Sequence, residues 1–153
     1  MVNKSGFSLI ELIVVIGLLS LLMLAISSTM LMSIVSSNRV RIATSTKQAG
    51  NYALGQMQIL IRNARDIKTC APASLTITNL DGGNTQIYFA DSRVASNSGV
   101  YLTPENTKTT NFVLSCEPID HPTLVNLSFD LKDNSSDSNP ILHFATSINL
   151  RNQ

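Results

Sequence analysis

Two periodicities divide the chain. Residues 12–38 contain neither a charged side chain nor a proline. At about 1.5 Å per residue along a helix, this apolar run is long enough to cross the roughly 30 Å hydrocarbon core of a bilayer. Beyond it, apolar or small residues recur in steps of three and four at Ile42, Thr46, Ala49, Ala53, Met57, Leu60, Ala64 and Ile67. That spacing draws one stripe along a helix. One helix is therefore predicted over residues 5–66. Gly50 and Gly55 each lower its propensity by about 1 kcal/mol relative to Ala, and the Ser27-Ser28 and Ser36-Ser37 pairs offer places to bend. Cys70-Ala71-Pro72 marks a stop and a change of element.

Past Pro72 the period becomes two. Residues 75–78 and 86–89 alternate across Asp81-Gly82-Gly83-Asn84, which is a hairpin signal. Further strands are predicted at residues 100–102, 112–116, 124–131 and 141–150, separated by loops at 92–99, 104–111 and 132–140. Val125, Leu127, Phe129 and Leu131 share one face of their strand, and Leu142, Phe144, Thr146, Ile148 and Leu150 share one face of the last. The expected fold class is α+β: a long N-terminal helix, half membrane-spanning and half amphipathic, whose stripe covers the apolar face of a small antiparallel sheet.

Charge sharpens this division. The formal net charge is only +1, but residues 39–68 hold Arg39, Arg41, Lys47, Arg62, Arg65 and Lys68 against Asp66 alone, while residues 70–153 hold four basic and eight acidic side chains. A basic stem thus leads to an acidic head, which has no basic stripe for phosphate contacts, so direct nucleic-acid binding by the head is disfavoured. The exception to the uncharged N-terminal region is Glu11, a carboxylate near the start of the apolar run. It needs a partner, an interfacial position or a proton.

Little in the chain suggests catalysis. His121 and His143 stand in no nucleophile context, and there is neither a glycine-rich phosphate loop nor an HExxH pair. Cys70 and Cys116 fit no close-set zinc pattern. Asp133, Asn134 and Asp137 in the polar 132–140 loop lack the dense alternation of oxygen ligands that a calcium loop has, so a solvated turn is expected there. The sequons at Asn126 and Asn134 are short enough to arise by chance. No cofactor is expected.

The order of the N-terminal pieces is more specific. A polar leader carrying Lys4 ends at Gly6, Phe7 follows, the apolar helix begins at once, and Glu11 lies four residues after Phe7. Met1 to Leu12 resembles the type IV prepilin signature. The resemblance implies cleavage between Gly6 and Phe7 by a prepilin peptidase, N-methylation of Phe7, and a charge-pairing role in assembly for Glu11. A secretory signal would instead place its apolar run before the cut. The segment from Tyr52 to Asp66 is similar to the helix end of minor pseudopilins and competence pilins. The absence of a proline in the apolar helix and of a C-terminal cysteine pair favours a minor pilin or pseudopilin-like component over a major pilin.

On that resemblance the chain divides into a cleaved leader (1–6), a transmembrane and assembly helix (7–38), an amphipathic stem (39–68) and a sheet head (69–153). Expected partners are the prepilin peptidase and methyltransferase, other pilin or pseudopilin subunits and an inner-membrane assembly platform. The head would lie outside the cytoplasmic membrane, in a periplasmic or cell-surface filament. Lys4 favours this orientation and Arg39, Arg41 and Lys47 oppose it under the positive-inside rule. In such a compartment Cys70 and Cys116 are expected to form a disulfide, the alternative being two buried thiols. The competing reading of the whole chain is a single-pass, membrane-anchored binding protein that never polymerises.

Overall fold

The computed structural model describes residues 8–97, 99–118 and 121–151. One α-helix, α1 (Leu9–Arg62), is followed by seven strands: β1 (Asp66–Ala71), β2 (Ser74–Thr78), β3 (Asn84–Ala90), β4 (Arg93–Ser96), β5 (Thr107–Glu117), β6 (Leu124–Asp133) and β7 (Leu142–Asn149). The chain forms two compact units, Met1–Val40 and Arg41–Gln153. In the first, every described side chain is exposed, and the apolar ones run from Leu9 to Val40. A helix that is apolar all round needs an apolar host.

The second unit has its own core. Here α1 buries Thr46, Gly50, Ala53, Met57 and Ile61, one face at helical spacing. This face meets Leu75, Ile77 and Ile87 from one part of the sheet structure and Val125, Leu127, Phe129, Leu131, Phe144 and Ile148 from the other. Gly50 belongs to the contact: a Cβ built there would overlap the tip of the Phe144 ring. The glycine expected to weaken the helix is what lets the sheet approach it.

The strands form two antiparallel sheets, ordered β1-β2-β3-β4 and β5-β6-β7. The predicted hairpin is β2–β3, with Ser74 opposite Tyr88 and Thr78 opposite Asn84. β5 reaches the first sheet through the Leu114 amide, which donates to the Pro72 carbonyl at 3.0 Å, the Thr109 amide, which donates to Ser92 at 2.8 Å, and the stacked rings of Phe89 and Phe112.

The boundaries depart from expectation in three places. The helix, expected to run to residue 66 in a stem reaching residue 68, ends at Arg62, and β1 begins at Asp66. The Ala64 amide tightens onto Ile61 and the Arg65 amide donates to the Thr78 carbonyl at 2.7 Å, so pairing with β2 takes the chain out of the helix. Ile67 satisfies the helical stripe and the strand core equally, and the sheet claims it. Second, the loop expected at 92–99 contains β4, whose Val94, Ala95 and Ser96 are all buried and therefore show no alternation. The strand expected at 100–102 is reduced to a single bridge, Tyr101 to Ala95. Third, β5 starts at Thr107 within the loop expected at 104–111, because Thr107 and Thr109 fill inward positions usually held by apolar residues.

Candidate functional site

The helix opens with the Ser8 carbonyl accepting the amides of Glu11 (3.0 Å) and Leu12 (3.2 Å). Glu11 lies in this first turn, where a carboxylate is favoured by the free amides and the helix dipole. It is exposed between Ile10 and Leu12, and it makes no ion pair among the described residues. Gly6 and Phe7, the expected processing pair, lie outside the described residues.

Further along, the polar side chains turn inward on the helix's own backbone. Ser20 donates to the carbonyls of Ile16 and Gly17, Ser27 to Met23, Ser28 to Ala25 and Thr29 to Ile26, all at 2.8–3.0 Å. α1 continues through both serine pairs. Each hydroxyl thus has its hydrogen bond without needing water, which makes the segment compatible with hydrocarbon.

Cys70 of β1 and Cys116 of β5 form a disulfide, S–S 1.99 Å, linking the two sheets. The expected solvated turn at 132–140 is organised around one carboxylate. One oxygen of Asp133 accepts the Ser135 amide and the Asn139 side chain, and the other accepts Asn106. Hydrogen bonding from Ser135 is the main cause that holds this carboxyl below its usual pKa. Among the described residues no group of three or more His, Cys, Asp or Glu side chains is placed to hold a metal.

His143 lies on the outward side of β7, and its Nδ1 is 2.6 Å from Oδ1 of Asp130. Asn111 donates to the other Asp130 oxygen at 2.7 Å, and this bond, followed by that of His143, depresses the Asp130 pKa. Of the two sequons, Asn126 is half-buried in β6 and accepts the Ser147 hydroxyl, whereas Asn134 is exposed in a turn.

With this geometry in view, the family comparison bears on the N-terminal segment. Residues 1–27 match the model of the prokaryotic N-terminal methylation motif. The motif supports a subunit of the prepilin/pseudopilin type. No curated protein and no solved structure matches the chain. The chain has the expected α+β architecture, with its apolar helix near the chain start and a globular head. It is a single-pass membrane protein with an extracytoplasmic domain. The sequence missed β4, whose Val94, Ala95 and Ser96 are all buried and so show no alternation, and the cluster around Asp133, whose polar side chains give no periodic signal.

Proposed function

We propose that this type-IV-pilin-like structural subunit is a minor pilin or pseudopilin-like component of a filament, and that it has no enzymatic activity of its own. It is processed between Gly6 and Phe7, and it assembles through its N-terminal helix with Glu11 pairing to the Phe7 amine of a neighbouring subunit. The observation that carries this reading is an exposed carboxylate in the first turn of α1, whose apolar part is otherwise uncharged as far as residue 38, inside the matched methylation motif. In a medium that solvates charge poorly, an unpaired carboxylate favours the one stagger that brings an amine to it. The apolar surface supplies the contact area and the ion pair supplies the register. The partners this implies are a prepilin peptidase and methyltransferase, sister subunits and an inner-membrane platform.

The test is Glu11→Ala beside Gly6→Ala. Glu11→Ala is expected to retain membrane insertion and processing while the sheared filament fraction falls sharply. Gly6→Ala is expected to leave the leader attached and block assembly at the earlier step. Normal incorporation of processed Glu11→Ala would sink the register role and favour the non-polymerising anchor.

A further inference from the structure

The two sheets leave four edge strands, and three of them carry a device that prevents further pairing. β4 is covered by the following chain: the Ser96 amide donates to the Val100 carbonyl and the Leu102 amide to Val94. β1 is bulged between Ile67 and Thr69 and tied by the disulfide to β5. β5 is bulged between Thr110 and Val113, and its amides at Thr109 and Leu114 donate to the first sheet. β7 has none of these. It pairs with β6 over its whole length without a register shift, contains no proline or lysine, and on its other side has no main-chain partner among the described residues.

Asp130 of β6 meets His143 near the start of β7, but the C-terminal end of this open edge is flanked by positive charge alone. A groove of about 240 Å³ beside it is lined by Gln58 and Arg62 of α1 and by Ser147, Ile148 and Asn149 of β7. The Arg151 amide donates to the Arg62 carbonyl at 3.2 Å, which brings the backbones of these two arginines together at the end of the groove. Neither guanidinium has an ion-pair partner among the described residues. Residues 41–62 and 142–151 contain no Asp or Glu at all. An edge with free amides and carbonyls recognises an extended main chain, and unpaired arginines select carboxylates.

We propose that β7 accepts an extended, acidic segment of another polypeptide as an additional strand of the β5-β6-β7 sheet, with carboxylates of that segment meeting Arg62 and Arg151. This goes beyond the filament reading and holds equally for a subunit that never polymerises.

The probe is a fluorescein-labelled peptide of about eight residues, the length of an ordinary strand, alternating Val and Glu. It is compared with a Val-Lys peptide and with a Val-Glu peptide N-methylated at alternate amides. Binding to the full chain in detergent micelles is followed by anisotropy, and amide exchange locates it. The Val-Glu peptide is expected to bind saturably and slow exchange in β7, with the Val-Lys and N-methylated peptides at least about tenfold weaker. Arg62→Glu combined with Arg151→Glu is expected to reverse the charge preference. Equal binding of the two charge types, indifference to N-methylation, or protection away from β7 would each overturn the proposal. So would concentration-dependent protection of β7 without peptide, since the occupant would then be a second copy of the chain.

Discussion

Gly50 and Gly55 lie close together on α1 and have opposite surroundings. A methyl group at Gly50 would displace the Phe144 ring, while at Gly55 nothing lies within 4 Å. Gly50→Ala is therefore expected to destabilise the head by about 1–3 kcal/mol through overpacking, and Gly55→Ala to stabilise it by about 1 kcal/mol through helix propensity. Urea unfolding of the two variants checks both signs. The sequence marked both residues as equal weaknesses, because propensity is local whereas the demand at position 50 comes from a strand far along the chain. The two structured carboxylates add a pH dependence. Asp130 and Asp133 have depressed folded pKa values, the first chiefly through Asn111 and the second chiefly through Ser135. A depressed carboxyl contributes stability that is present above its unfolded value and lost as pH falls through its folded value. The contribution of these groups is thus expected to be level at neutral pH and to disappear below about pH 4. Asp133→Asn should lower the unfolding midpoint near neutrality and flatten the acid limb measured by circular dichroism.

At the scale of elements, the disulfide joins two sheets that otherwise meet mainly along β5. Cys70 and Cys116 are 46 positions apart. On the chain-entropy model, closing a loop of that size stabilises the fold by roughly 4 kcal/mol. Replacing both cysteines with serine is expected to lower stability by about 2–4 kcal/mol, read by chemical denaturation, with the intact oxidised protein showing no free thiol on alkylation and mass measurement. The apolar helix, the β2–β3 hairpin and the alternating faces of β6 and β7 were legible because each shows a regular period of burial or an unbroken apolar run. β4 was not, since Val94, Ala95 and Ser96 are all hidden. The start of β5 was missed for a related reason: threonine at 107 and 109 looks polar in sequence yet faces the core. The helix end at Arg62 was decided by the partner strand, since Arg65 donates to Thr78, and local sequence contains no sign of that pairing.

For the molecule as a whole, the second unit contains all of the buried core and the disulfide. A chain beginning at Arg41 is expected to be soluble, monomeric and cooperatively folded when oxidised, as judged by size exclusion and thermal melting. The full chain should require detergent, because the side chains that need an apolar host belong to the first unit. The candidate site at Glu11 was legible in the sequence because the N-terminal motif is local and its chemistry depends on order along the chain. The β7 edge was hidden, since only topology reveals which strands lack a neighbour. The inward-turned hydroxyls of Ser20, Ser27, Ser28 and Thr29 have a consequence for traffic. These four hydroxyls, already bonded to their own backbone, ask nothing polar of their surroundings, so for them acyl chains and the flanks of other helices are nearly equivalent hosts. Moving these four groups from one such host to the other would therefore involve little change in their solvation in either direction.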